Sequence, residues 1–71
     1  MKPTQIVAKA PRGLFRVIST EKGRDAESYY DGDFSSFDAA KVKATEVKDA
    51  YLVIEIFDDK GKALFTDRNR M

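Results

Sequence analysis

The densest apolar segment of the chain is residues 51–66, YLVIEIFDDKGKALFT, whose period-two placement of side chains reads as two strands joined by a tight turn. A pleated strand sends successive side chains to opposite faces. Leu52, Ile54 and Ile56 therefore share one face of the first strand, and Tyr51, Val53, Glu55 and Phe57 share the other. Gly61 can take the left-handed conformation that closes a type I turn with a G1 bulge, which makes Asp59-Lys60-Gly61 a three-residue loop between paired Asp58 and Lys62. A regular ladder continued from that turn sets Leu64 beside Ile56 and Phe65 near Glu55 and Phe57.

Residues 14–20 form a further strand, launched by the turn Pro11-Arg12-Gly13. An inward Leu14 and Ile18 would carry Arg16 into the core, and an unpaired buried charge costs far more than two part-exposed aliphatics. Phe15 and Val17 are therefore assigned inward. A turn at residues 21–24 leads to a short polar strand, 25–30, suited to a sheet edge. An even loop places Ala26, Ser28 and Tyr30 beside Phe15 and Val17, whereas an odd one sends Glu27 inward, so the even loop is expected. Asp31-Gly32-Asp33 then breaks the chain before a helix over about residues 36–48. Ser35 with Asp38 matches a capping box, and Phe34 with Ala39 a hydrophobic staple. Phe37, Ala40, Ala44, Val47 and Tyr51 draw one apolar stripe along that helix.

The prediction is an α+β domain, ββαββ, with one helix on one face of an antiparallel or mixed sheet. The sheet has four strands, or five if the N-terminal segment joins as an edge. Residues 1–13 are that arm or edge strand, 14–66 the single domain, and 67–71 a polar, frayed tail. Strand order stays open between 1-2-3-4 and arrangements with the hairpins exchanged. The capped helix, apolar strand and Asp-Lys-Gly turn resemble small bacterial domains of unknown function with this same pattern, over residues 14–65. That resemblance implies the fold and carries no activity or site residues.

With 71 residues the core must be thin. The absence of Cys and His removes disulfides, thiolate sites and the commonest general base. An enzyme is not expected, nor is a cofactor. Thirteen basic against twelve acidic residues leave no strong overall field. No run is long enough to span a membrane or serve as a signal peptide, so a cytoplasmic protein is expected.

Candidate chemistry is sparse. Asp31 and Asp33, with Asp58 and Asp59, offer carboxylates to a hard cation or to glycoside hydrolysis, but neither the ligand number nor a deep pocket is foreseen. Metal and catalytic residues are accordingly none. The segment from Arg12 to Ile18 begins like an RNA-recognition motif and departs from it at Leu14 and Arg16. What remains is the sheet face without a helix, assigned Leu14, Arg16, Ile18, Val53, Glu55, Phe57 and Phe65, with Tyr51 shared between helix and sheet. A patch of this kind calls for a cover. The N-terminal arm could supply it through Ile6 and Val7. Otherwise a second copy would, as a two-fold homodimer pairing Arg16 with Glu55 across the axis, or another protein. The alternative function is accessory binding of nucleic acid by stacking on this face, aided by Arg12 and Arg16.

Overall fold

The computed structural model describes residues 7–67. In chain order these form β1 (Phe15–Glu21), β2 (Ser28–Phe34), α1 (Phe37–Glu46), β3 (Leu52–Phe57) and β4 (Ala63–Asp67). The strands make one antiparallel sheet in the order β2-β1-β3-β4. This is the expected α+β, ββαββ arrangement, with the two hairpins joined through β1 and β3. Residues 7–14 stay outside the sheet, so among the described residues it has four strands. Because β2 and β3 both run antiparallel to β1, they are parallel to each other, and the connection through α1 crosses over β1. The shortest dimension, 17 Å, is that of one helix on one sheet. No helix among the described residues is long and apolar enough to cross a membrane.

The helix begins where Ser36 caps it, its Oγ accepting the Ala39 amide at 3.1 Å. This is one residue later than the cap expected at Ser35. The reason lies in β2, which continues to Phe34 and pairs it with Phe15, so that Ser35 is used as the bend. Ala40 and Ala44 are fully buried against Val17, Ile54 and Ile56, with Phe15, Phe34, Phe37, Val47, Leu52 and Phe65 packed around them. Small side chains on the helix let its backbone sit close to the isoleucines. The inward facing of Phe15, Val17, Leu52, Ile54 and Ile56 is as the alternation predicts. Tyr51 is 76% exposed and takes no part in the helix stripe.

Both hairpins depart from regular pairing, and each departure moves residues between faces. In the first, Glu21 N donates to Glu27 O at 2.9 Å, closing a five-residue loop in place of the even one. Ser28 then lies opposite Thr20 and Tyr30 opposite Ile18, away from the helix. Glu27 is not buried by this choice because the helix does not shield that end of the strand, and the residue stays exposed. Nor does Asp31-Gly32-Asp33 end the strand. A register shift admits an extra residue, and Val17, Arg16 and Phe15 then pair with Gly32, Asp33 and Phe34. Gly32 sits at φ +128°, where L side chains are strained, and a Cβ there would lie 3.2 Å from the Phe34 ring.

The second hairpin turns as expected. Asp58 N donates to Lys62 O at 3.0 Å, Gly61 N donates to Asp58 O at 3.1 Å, and Gly61 lies at φ +82°. One pair further on the ladder slips, since Phe57 faces Ala63 while Ile56 faces Phe65. Leu64 is the extra residue and is 41% exposed. The assignment of Leu64 inward and Phe65 outward is thereby reversed. The slip places the larger apolar side chain over the core, where its area counts for more, and the Lys41 ammonium lies 5.6 Å from its ring.

Two stability measurements check this packing. Ile54→Ala empties a site in the middle of the core and should cost about 2–5 kcal/mol, read from urea midpoints; a loss below about 1 kcal/mol would contradict the facing of β3. Phe65→Ala should cost clearly more than Leu64→Ala, and the opposite ranking would restore the regular register.

Candidate functional site

The sheet face opposite α1 is built by alternation from both central strands. β1 contributes Arg16, Ile18 and Thr20, and β3 contributes Phe57, Glu55 and Val53 directly across from them. β2 adds Asp33, Tyr30 and Ser28, and β4 adds Thr66 beside Glu55. Five of the seven expected surface residues are thus brought together: Arg16, Ile18, Val53, Glu55 and Phe57. Leu14 precedes β1, in the turn where its amide donates to Pro11 O. Phe65 is on the helix side and leaves the set.

Arg16 organises one end of this face. Its Nε donates to Asp33 Oδ1 at 2.8 Å and its Nη2 to Asp33 Oδ2 at 3.1 Å, a two-point grip on the residue opposite it in β2. Tyr30 donates its hydroxyl to the same Oδ2 at 2.7 Å, and the guanidinium lies 4.9 Å from the Tyr30 ring centroid. Each contact has its effect on protonation. The hydrogen bond from Arg16 holds the Asp33 carboxyl below its ordinary value. The hydrogen bond to Asp33 raises both the Arg16 guanidinium and the Tyr30 phenol. Sequence reasoning places Tyr30 on the helix side through the even loop and leaves Asp33 outside the strand, so it misses both here. The available signal was Arg16 itself, since a charge on an apolar strand asks for an acidic cross-strand neighbour.

The third donor of Arg16, Nη1, reaches Val7 O at 2.9 Å and ties the N-terminal arm across the Arg16–Phe57 end of the face. Ala10 is buried, its amide donating to Asp58 O at 3.0 Å, and Gly13 N donates to Asp59 Oδ2 at 2.9 Å. The arm is therefore fixed to the β3–β4 turn at two points. Val7 itself stays exposed, and Ile6 lies outside the described residues.

The other carboxylates considered for chemistry are spread apart. Asp31 accepts from the buried Ser19 hydroxyl, a neighbour of Ile54 on the helix side. Asp58 accepts the amides of Lys60 and Lys62 at 2.9 and 2.8 Å, and the Lys62 bond, followed by that of Lys60, lowers its carboxyl. No group of three or more metal-ligating side chains occurs among the described residues. Beyond the arm the face is apolar and polar in turn. Ile18 is 5% exposed in its middle, Tyr30 is 52% exposed at its rim, and Thr20 and Ser28 share a hydroxyl contact of 3.0 Å.

The lowered carboxyls of Asp33 and Asp58 give the pH dependence its sign. A group depressed by folding contributes stability above its unfolded value of about 4, and that contribution is lost as the pH falls through the lower folded value. Asp33→Asn should therefore be less stable than the wild type at pH 7 and lose less on acidification below about pH 4. Equal acid slopes in urea titrations of the two proteins would show that the Arg16 pair does not carry this dependence.

Comparison with known proteins finds no family model, no curated protein and no solved structure that matches this chain.

Proposed function

We propose that this protein is a small non-enzymatic interaction module that binds another polypeptide through the sheet face opposite α1. The observation that carries the reading is the surface itself. Val53 and Phe57, both half-buried, flank the buried Ile18 and with it form an apolar strip along the two central strands. The Arg16–Asp33–Tyr30 brace holds one side of it, and Val7 of the arm is tied to the Arg16 end. Such a strip is rigid before contact, since it stands on strands and its polar margin is already hydrogen-bonded. A preformed surface of this kind loses little entropy on binding.

Binding of nucleic acid would draw on Arg12 and Arg16. Arg16 is already engaged by Asp33 and Val7 O, which leaves less free positive charge beside the strip. The same engagement removes Arg16 from the cross-axis pair on which a two-fold homodimer was expected to close. Both points favour a different polypeptide as the partner.

Photo-crosslinking from chosen faces tests the proposal. A benzophenone side chain in place of Val53 should form adducts with another polypeptide, and Phe57→Lys in the same chain should abolish them. The same group in place of Val42, exposed on the outer side of α1, should form none. Equal adducts from both positions, or none from Val53, would refute the sheet face as the contact.

A further inference from the structure

Glu55 stands in the middle of the strip, on a central strand, with Ile18 on one side and Thr66 on the other. It is half-buried between Ile54 and Ile56, which point to the core. Among the described residues no lysine or arginine forms an ion pair with Glu55, and no side-chain hydrogen bond reaches it. Its nearest candidate on the face, Arg16, gives three donors to Asp33 and Val7 O. Among the described residues the other charges of the face, Arg16 and Asp33, compensate each other, and Glu55 has no such pair.

Any polypeptide that closes over the half-buried Val53 and Phe57, beside the already buried Ile18, must take the Glu55 carboxylate out of water. An uncompensated charge buried in this way costs far more than the apolar contact around it returns. A partner fits only if it brings a cation to that point. Resting on the reading of the face given above, we infer that the partner segment is an apolar strip interrupted by one lysine or arginine that pairs with Glu55. The same carboxylate disfavours a second copy of this chain. A two-fold contact centred on β3 would bring two uncompensated Glu55 side chains together, and like charges facing each other oppose association.

The inference is tested on the full chain with two synthetic heptapeptides, acetylated and amidated. Both alternate valine and threonine around a central residue, which is lysine in one and glutamate in the other. Titration followed by amide NMR shifts should move Ile18, Val53, Glu55 and Thr66 with the lysine peptide. Affinity should fall at least ten-fold with the glutamate peptide, and likewise for the lysine peptide with Glu55→Gln. In the absence of peptide, Glu55→Val should raise the urea midpoint, because it removes an unpaired carboxylate from an apolar surface.

Several results would overturn it. One is equal response to the two peptides or to the two proteins, or no shift on the face with either peptide at millimolar concentration. A lower midpoint for Glu55→Val would mean that the residue is paired within its own chain. Concentration-dependent shifts on the face without peptide would make a second copy the occupant. Shifts that appear only after deletion of residues 1–6 would make it the chain's own N-terminus. A face that forms adducts from Val53 yet ignores the peptide's charge would sink this inference and leave the proposed function standing.

Discussion

Because the two hairpins meet only through β1 and β3, the pairing of those strands sets what either face can be. It brings Val17 beside Ile56 and Ser19 beside Ile54 under the two buried alanines of α1. Neither hairpin has enough apolar surface to hold alone, and an isolated two-stranded hairpin is marginal in water. Joined, they make a sheet that one ten-residue helix can cover on one side only. The same pairing aligns Arg16 with Phe57, Ile18 with Glu55 and Thr20 with Val53 on the other side. Core and candidate site are two faces of one ladder, so a register error in it would destroy both together.

What could be read from the sequence follows from how regular each strand is. β3 runs without a bulge against β1 and carries one charge, Glu55, which marks its outward face, and the facing of β1 follows once Arg16 is kept out of the core. The turn at Asp58–Gly61 is legible because Gly61 and the Asp58 side chain dictate its geometry. β2 and β4 are not legible, because each carries one residue too many for a regular ladder. A bulge leaves no periodic trace, and one extra residue exchanges the faces of all that follows. Leu64 and Phe65 are both apolar, so pattern alone cannot choose between them. Size decides, through contact with Ile56 and the helix. Gly32 has the look of a chain break in the sequence, yet its φ of +128° accommodates the bulge.

The candidate site was half legible for the same reason. Its β1 and β3 members follow from alternation, and Phe65 was misplaced by the slip in β4. Its polar margin depends on Asp33 and Tyr30 lying on the same face, three residues apart, which only the bulge permits. Regular alternation would have put them on opposite faces, and Arg16 would have faced one without the other. The irregularity in β2 is therefore what assembles the brace. It also places the arm at that end, since Arg16, held by Asp33, donates its remaining Nη1 to Val7 O.

The placement of the two bulges also decides which surfaces remain for contact. β2 and β4 are the edges of the sheet, and an unprotected edge invites another strand to pair with it. In β2 the outer edge is interrupted at Asp31-Gly32, and Asp31 and Asp33 are engaged by Ser19 and Arg16 on opposite sides of it. In β4 the ladder is broken at Leu64 within a strand of five residues. Among the described residues neither edge offers a straight run of amides and carbonyls to an incoming strand. The β1–β3 strip has the opposite character, being continuous, central and without a bulge between its own two strands. A chain whose edges are both interrupted can still present that strip, so the contact we propose is one of side chains across the face rather than addition of a strand.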